Sequence, residues 1–320
     1  MEMRIAKKED LLQLKEIWKL CFGDEESFID FYFQSRDWLR EMAVMSLDGR
    51  IVSMLTMIPV VLTDRNGKKF QASMLYAIAT HPDFQKRGFA ERLIEYSNEY
   101  LLSKDIFATL LVPAGENLFR FYEKRGYRDG FFVREAVLSR GEIERLTEPT
   151  AGEAFPSDPA ASCRIEPAEA ARYGQIRSEQ LKKRPYLEYR EEEIAFEKQL
   201  ALTSGAGLFA IEAGSCEDGF ENSCEGGFEG CAYAERISER EVIVKELLIS
   251  DLYLAAALKQ LAKLLPAEKY FVRTPSYAGE SLGGTVRPFG MLRINGSGHG
   301  LSDAVSYPAD SDSWLGIAYD

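Results

Sequence analysis

Hydrophobic positions recur with two different periods along the first half of the chain. Alternating or continuous apolar runs predict six strands, at residues 3–6, 41–47, 51–62, 70–80, 107–112 and 131–138. Apolar residues at helical spacing predict four helices, at residues 9–21, 25–35, one that opens within 85–90, and 117–124. The turn pairs Asp48-Gly49 and Asn66-Gly67 separate successive strands. The predicted order is β-α-α-β-β-β-α-β-α-β, which is an α/β arrangement with a mixed sheet.

The second half repeats this order at an offset of about 160 residues, in topology and not in detailed sequence. Arg164-Ile165 echoes Arg4-Ile5. The elements predicted after it are strands at 208–212, 231–237, 241–249, 269–273 and 289–294, a helix at 251–265, and a final strand in the apolar run 314–320. Residues 147–161 are rich in proline, alanine and glycine, which predicts a linker. We therefore expect two domains, at residues 1–146 and 162–320.

Composition permits two hydrophobic cores in this chain of 320 residues, 46% of them hydrophobic and 28% charged. No apolar run approaches the roughly 20 residues that cross a bilayer, and the first residues lead directly into a strand. The five cysteines are scattered and odd in number, which is typical of free thiols in a reducing compartment. These features predict a cytoplasmic protein with no membrane partner.

The net charge of −12 argues against nucleic acid as a partner and is compatible with a cationic substrate. No metal is expected, because the two histidines, His81 and His299, are far apart. Cys216, Cys224 and Cys231 are spaced eight and seven residues apart, unlike the tight pairs of zinc sites. They lie in a repetitive segment, 214–231, that we interpret as a duplicated hairpin loop of unassigned role.

The segment from Ala77 to Ala90 carries the clearest chemical signal. A strand leads into a turn at His81-Pro82-Asp83, and the turn leads into a helix. The first amides of a helix lack carbonyl partners and the helix dipole is positive there, so such a turn binds phosphate. Gly88 allows a phosphate to approach the backbone closely, and the side chains before it add donors.

The pattern Gln85-x-x-Gly88-x-Ala90 resembles the signature of the GNAT acetyltransferases. In that family the loop holds the pyrophosphate of acetyl-CoA, and the backbone of the preceding strand meets the pantetheine arm. The resemblance implies acetyl-CoA as co-substrate. It assigns to acetyl-CoA binding the residues Ile78, Ala79, Thr80, Gln85, Lys86, Arg87, Gly88, Phe89, Ala90 and Asn117.

A second motif, Tyr122-Glu123-Lys124-Arg125-Gly126-Tyr127, resembles the family's Y-E-K-x-G-F/Y signature. The resemblance makes Tyr122 the general acid that protonates the departing CoA thiolate, and a phenol is suited to this role. An aromatic packed in the core is the ordinary alternative for Tyr122, and Tyr127 is the second candidate for the acid. His81 is a weaker candidate for a base, because a His-Pro pair after a strand is typical of a turn.

The second half has no such loop at the corresponding place. Ser250 and Asp251 stand there and could cap a helix, and an aspartate repels phosphate. One competent and one degenerate domain resemble the tandem GNAT proteins related to the enhanced intracellular survival (Eis) acetyltransferases, without their sterol-carrier-like third domain. The resemblance implies that the C-terminal carboxylate, here at Asp320, reaches the active site and accepts the proton of the amine.

These features predict an N-acetyltransferase in which a primary amine attacks acetyl-CoA directly. Two alternatives remain: a non-catalytic GNAT-fold sensor or partner-binding protein, and an acyl transferase that uses another donor such as aminoacyl-tRNA. The sequence leaves open the acceptor, which can be an aminoglycoside, polyamine, peptide amine or protein lysine. It also leaves open the general base and the oligomeric state, a homo-oligomer included.

Overall fold

A computed structural model describes residues 1–147, 163–213, 228–295 and 311–318 of the chain. The strands of these residues are β1 (Glu2–Ile5), β2 (Met42–Leu47), β3 (Arg50–Thr63), β4 (Lys69–Thr80), β5 (Ala108–Leu111), β6 (Arg128–Ser139), β7 (Cys163–Pro167), β8 (Tyr186–Glu188), β9 (Gly207–Ala213), β10 (Phe228–Ser238), β11 (Glu241–Leu248), β12 (Lys269–Pro275) and β13 (Thr285–Ile294). The helices are α1 (Leu11–Phe22), α2 (Glu26–Ser35), α3 (Trp38–Glu41), α4 (Phe89–Leu102), α5 (Glu116–Glu123), α6 (Arg140–Arg145), α7 (Ala170–Gln180), α8 (Glu191–Thr203) and α9 (Leu254–Leu264).

The order of elements predicted for the first half is confirmed, with the short helices α3 before β2 and α6 after β6 added. Local chemistry explains where the main helices begin and end. Gly23 ends α1 in the left-handed conformation, with φ 76°, which glycine adopts without a steric penalty. Gly88, with φ 75°, stands directly before α4 and lets the chain turn from the end of β4 into that helix.

The described strands form one continuous sheet in the order β1-β2-β3-β4-β5-β13-β6-β12-β11-β10-β9-β7, with β8 paired to β3. β13 comes from the second half of the sequence but lies between β5 and β6 of the first half. β6 in turn lies between β13 and β12 of the second half. Backbone pairing therefore joins the two halves at the centre of the sheet.

β13 and β6, the strands that each lie among strands of the other half, are called the exchanged strands. The two halves follow the same path through the sheet once these strands are included. The first runs β1-β2-β3-β4-β5 and is completed by β13 and β6, and the second runs β7-β9-β10-β11-β12 and is completed by β6 and β13. In each half one parallel pair stands among antiparallel strands, β4 with β5 and β11 with β12. The topological repeat predicted from the sequence is thus present in the described residues.

The apolar run 314–320 is not the predicted final strand in its described part, residues 314–318. Trp314 makes only an isolated bridge to Tyr186, and Gly316 has φ 72°, which interrupts an extended conformation. The run is apolar because it is buried: Trp314, Leu315 and Ile317 are almost completely inaccessible to solvent. The apolar pattern of this run therefore reflects burial and not a strand.

The terminal run packs on a buried ion pair between Arg177 of α7 and Glu246 of β11. Arg177 Nε lies 2.9 Å from Glu246 Oε1, and Trp314 Nε1 donates to Glu246 Oε2 at 2.6 Å. Arg177 Nη2 also donates to the carbonyl of Leu315 at 2.9 Å. Because a buried charge needs both a counter-ion and hydrogen bonds, this network fixes the tail against the second half.

Two segments singled out in the sequence fall mainly outside the described residues. They are the predicted linker, 147–161, and the Cys-, Gly- and Glu-rich segment 214–231, of which only the start of β10 is described. Among the helices of the described residues, none is long and apolar enough to cross a membrane.

Replacing Gly316 with alanine is expected to destabilise the fold severely. A Cβ there would lie 1.9 Å from Glu246 Oε2, at a φ of +72° that alanine rarely adopts. Gly205→Ala is the matched control, because Gly205 has φ +78° and open space around its Cβ position. We expect the control to lose roughly 1–2 kcal/mol of unfolding free energy in urea. Gly316→Ala should lose about 3 kcal/mol more, the cost of breaking a buried ion pair, and equal losses would contradict this packing.

Candidate active site

The parallel strands β4 and β5 separate at the centre of the first half. They pair over only three positions, from Ala72 opposite Ala108 to Met74 opposite Leu110, and β4 then continues to Thr80 paired with β3 on its other side. A cleft of about 1140 Å³, the central cleft, opens at this separation. It is lined by Phe22, Asp24, residues 74–78, 111–116 and 118–120, Tyr122, Glu123, Asp129, Arg273 and residues 287–289.

A β-bulge in β4 lies in the wall of the central cleft. Thr56 of β3 pairs with Tyr76, but Met54 pairs with Ala79, so β4 contains one more residue than β3 over this stretch. Ala77 within the bulge has φ 48°, an unusual value for a residue with a side chain. Because a bulge leaves its extra residue out of the ladder, backbone polar groups of β4 become available to a ligand in the cleft.

The turn after β4 is held open by bonds within itself. Gln85 Nε2 donates to the carbonyl of Thr80 at 3.2 Å, and Arg87 Nη2 donates to the carbonyl of Asp83 at 3.2 Å. Lys86 and Gly88 both adopt left-handed conformations, with φ of 62° and 75°. A Cβ at Gly88 would meet no atom within 4 Å, so the space in front of the start of α4 is unoccupied by protein. The geometry suits an anion at the first amides of α4.

A second, basic cleft of about 640 Å³ adjoins this turn. It is lined by Arg87, Gly88, Glu91, Arg92, Glu95, Lys124, Arg125 and Arg293. Consecutive residues at the end of α5 line the two clefts, since Glu123 lines the central cleft and Lys124 lines the basic cleft. A long ligand can therefore extend from one cleft towards the other.

Tyr122 of α5 lines the central cleft and is only 7% exposed. Burial raises the pKa of its phenol to about 12, so the hydroxyl stays protonated at neutral pH. This hydroxyl makes no hydrogen bond to any residue that the structure describes. A protonated phenol without a protein partner, at the edge of a cleft, can donate to a ligand.

Tyr127 is buried behind Tyr122 and is engaged internally. Its hydroxyl lies 3.0 Å from Thr109 Oγ1 and donates to Asn98 Oδ1 at 3.3 Å. Its ring packs edge-on against Tyr122, with 5.8 Å between the ring centroids. The hydroxyl of Tyr127 is thus satisfied away from the cleft, and its ring supports the ring of Tyr122.

His81 is a structural residue of the turn. Its Nδ1 accepts from the backbone amide of Asp83 at 3.2 Å, and its Nε2 lies 3.0 Å from Arg50 Nη2. It is buried and does not line the central cleft. This geometry fits the interpretation of His81 as a residue of the turn. It does not fit the alternative, in which His81 acts as a base.

Sequence comparison identifies the first part of the chain. A family model of the acetyltransferase (GNAT) domain matches residues 2–129, which contain the loop, the bulge and Tyr122. Residues 2–129 are therefore similar to a GNAT acetyltransferase domain. A search of curated proteins gives no significant match.

Solved structures extend the GNAT similarity to most of the chain. A GCN5-related N-acetyltransferase from Anabaena variabilis is 16% identical with a TM-score of 0.65, covering 92% of this chain and 72% of its own. A probable N-acyltransferase from Enterococcus faecalis is 12% identical with a TM-score of 0.66, covering 92% and 72%. Eis1 from Mycobacterium abscessus is 12% identical with a TM-score of 0.62, covering 92% and 74%. The tandem GNAT fold predicted from the sequence is confirmed.

The residues that the sequence assigned to the GNAT site fall into two groups around the turn. Ile78 lines the central cleft, while Ala79 and Thr80 follow it on β4. The carbonyl of Ala79 accepts from Ser53 Oγ, and that of Thr80 accepts from Gln85 and from Cys21 Sγ. Side chains therefore already bind the backbone oxygens at this end of β4.

Arg87 and Gly88 form the other group and line the basic cleft. Lys86 is exposed in the turn beside them, and Phe89 and Ala90 begin α4 with their side chains half-buried. Asn117 is exposed on the first turn of α5. Asp320 lies outside the described residues, so its assignment stays a prediction.

Several residues around the GNAT clefts were missed by sequence reasoning. Arg273, Arg287 and Phe289 reach the central cleft from β12 and β13, and Arg293 of β13 reaches the basic cleft. No local motif marks them, because their position depends on the strand exchange. Phe289 is the extra residue of a bulge in β13, between the pairs made by Pro288 and Gly290, and such bulges redirect side chains. Asp129 could have been found, since it lies two residues after the Tyr122–Tyr127 motif.

The corresponding part of the second half is occupied by its own side chains. β11 also carries a bulge, between Val244 and Glu246, after its parallel pairing with β12. Glu246 there is bound by Arg177 and Trp314. The turn that follows has Asp251, whose carboxylate accepts from the amide of Gly279 at 2.9 Å. A buried ion pair and a carboxylate thus stand where the first half has an open gap and a glycine.

The two tyrosines are expected to respond differently to loss of their hydroxyls. Tyr127→Phe removes a partner of buried Thr109 and Asn98 and should cost about 1–2 kcal/mol of unfolding free energy. Tyr122→Phe, the matched variant, loses no protein hydrogen bond and should stay within about 0.5 kcal/mol of the wild type. Urea unfolding of both variants measures this. A loss for Tyr122→Phe as large as for Tyr127→Phe would mean that Tyr122 has a structural role.

Proposed function

We propose that the protein is an N-acetyltransferase that transfers acetyl from acetyl-CoA to a primary amine. One observation carries the proposal: the bulged end of β4 and Tyr122, whose hydroxyl is unbonded, line the central cleft, and the Gly88 turn that follows β4 lines the basic cleft. Each feature meets a different requirement of the reaction. The turn would bind phosphate, the bulge would polarise a carbonyl, and Tyr122 would give a proton to the leaving group.

Acetyl-CoA fits this arrangement as an extended ligand. Its pyrophosphate would bind the first amides of α4 in front of Gly88, where no protein atom intervenes. The pantetheine arm would follow the end of β4 at Ile78, between β4 and α5. The thioester would then lie near the bulge at Ala77, and a backbone amide there would stabilise the oxyanion.

The transfer needs no covalent enzyme intermediate. The nitrogen of the amine attacks the thioester carbon, a C–N bond forms, and the C–S bond breaks with its electron pair on sulfur. Tyr122 donates a hydrogen bond and then its proton to that sulfur, and the proton released by the nitrogen restores the phenol through solvent. Burial keeps the phenol protonated, with its pKa raised to about 12, so the acid is present over the whole neutral range.

Acidic side chains in the central cleft favour a cationic acceptor. Asp24, Glu123 and Asp129 line this cleft, and the carboxylate of Asp24 is fixed by a bond from Trp18 Nε1 at 2.7 Å. Burial raises the pKa of Asp129, and the charge of Glu123 adds to this. A carboxylate with a raised pKa is a better proton acceptor for an ammonium group, so Asp129 joins water as a proposed base.

The proposed role of Asp320 concerns a residue just beyond the described part of the chain. Ala318, two residues before it, is buried in the same cluster as Met74 and Phe289, which both line the central cleft. Two extended residues span at most about 7 Å. Burial of Ala318 in the cluster that borders the central cleft supports the proposal that a carboxylate at Asp320 acts near the thioester.

The alternatives differ in what they require of the site. A non-catalytic sensor needs the Gly88 turn but not a free phenol, and the unbonded hydroxyl of Tyr122 favours the enzyme. A transferase that uses aminoacyl-tRNA needs a broad basic face, whereas the chain carries a net charge of −12.

A valine at Gly88 is expected to abolish acetyl-CoA binding. Its side chain would occupy the space in front of α4 and would strain a backbone with φ +75°. Gly67→Val is the matched control, because Gly67 has φ +79°, open surroundings and a position in the β3–β4 turn. Calorimetry should give one site per chain for the wild type and the control, and none for Gly88→Val. Unchanged affinity in Gly88→Val would exclude this turn as the phosphate site.

Tyr122→Phe is expected to lower turnover by roughly 100-fold or more, the usual contribution of a general acid. Binding of acetyl-CoA should stay unchanged, because the ring remains in place. Steady-state kinetics with a cationic amine, together with calorimetry, separate the two effects. Turnover equal to that of the wild type would remove Tyr122 as the acid and favour the sensor.

A further inference from the structure

The basic cleft carries a surplus of positive charge in an acidic protein. Five of its described lining residues are basic, Arg87 and Arg92 beside the turn, Lys124 and Arg125 at the end of α5, and Arg293 from β13. Two of its lining residues are acidic, whereas the whole chain has a net charge of −12. A local surplus of three positive charges in such a chain indicates an anionic ligand.

Internal ion pairs account for two of these cations. Arg125 Nη2 lies 2.7 Å from Glu91 Oε2, and Arg293 binds Glu95 with both guanidinium nitrogens, at 2.7 and 3.0 Å. The bond from Arg293 lowers the pKa of Glu95, which stays ionised and paired. Arg293 thereby neutralises a carboxylate that would repel an anion in the basic cleft.

The other cations have no carboxylate partner within the described part of the chain. Lys124 is exposed and makes no ion pair there, and Arg92 has only a 3.6 Å contact with Met1 Sδ. Arg87 donates to the carbonyl of Asp83, and its guanidinium lies over the ring of Phe84. Lys124 on α5 and Arg92 on α4 therefore face one cleft with their charges available to a ligand.

We infer that the basic cleft binds a phosphomonoester, the 3′-phosphate of CoA, and makes the enzyme selective for CoA over its 3′-dephospho form. This rests on the proposed function, which assigns the pyrophosphate to the backbone in front of Gly88. The side chains of Lys124 and Arg92 lie outside that backbone site and supply charge for a further phosphate. A phosphomonoester carries up to two negative charges, which matches the charges of Lys124 and Arg92, while Arg87 stays with the turn.

The inference gives the second half a role at the cofactor. β13 brings Arg293 between α4 and the end of α5, where it also donates to the carbonyl of Arg125 at 3.3 Å. A half that has no phosphate turn of its own thus contributes a side chain to the basic cleft of the first. Arg293 is a positioning residue, since it acts through Glu95 and the backbone of Arg125.

Calorimetry with CoA and with 3′-dephospho-CoA tests this on the full chain. The wild type should bind CoA at least about tenfold more tightly, the effect of one charge-assisted contact. Lys124→Gln and Arg92→Gln should each reduce that preference while leaving the affinity for 3′-dephospho-CoA unchanged. Lys263→Gln, an exposed lysine of α9, is the charge-matched control and should keep the full preference.

The outcomes separate this inference from the proposed function. Equal affinity of the wild type for both compounds overturns the phosphomonoester site and leaves acetyl transfer intact. A uniform weakening of both compounds in Lys124→Gln and Arg92→Gln also overturns it, because the residues then act on the pyrophosphate. Failure of the wild type to bind either compound overturns the cofactor assignment and the site with it.

Discussion

The insertion of β13 between β5 and β6 is the constraint on which the rest of the structure depends. Met291 pairs with Leu111 at the point where β5 ends, and the same strand pairs with β6 on its other side. Because β5 has a partner on that side, it is held in place while β4 separates from it. The central cleft therefore needs both halves of the chain, although its motifs lie in one.

The two halves differ in how much space the same fold leaves open at the corresponding bulge. In the first half the bulge of β4 faces an open cleft and Gly88 leaves the start of α4 accessible. In the second half the bulge of β11 presents Glu246, and Arg177 and Trp314 cover it. The cost of leaving a buried carboxylate unpaired explains why the apolar tail and Gly316 pack there. The second half supplies strand β13 and its arginines to the clefts of the first half.

Sequence reasoning succeeded where the signal was local. Periodicity predicted the elements of the first half. The Gln85–Ala90 pattern located the turn, because the backbone there needs a positive φ at Gly88, which glycine adopts readily. It failed for the run 314–318, since burial by tertiary contacts gives the same apolar pattern as a strand. It could not find Arg293 or Phe289, because strand exchange joins residues far apart in sequence.

A crystal structure of the protein with a stable thioether analogue of acetyl-CoA tests the central claim most directly. The account predicts one analogue per chain in the gap between β4 and β5, with its pyrophosphate at the first amides of α4 and its sulfur within hydrogen-bonding reach of the Tyr122 hydroxyl. An analogue bound between β11 and β12, or one in the first half with its sulfur far from Tyr122, would contradict it.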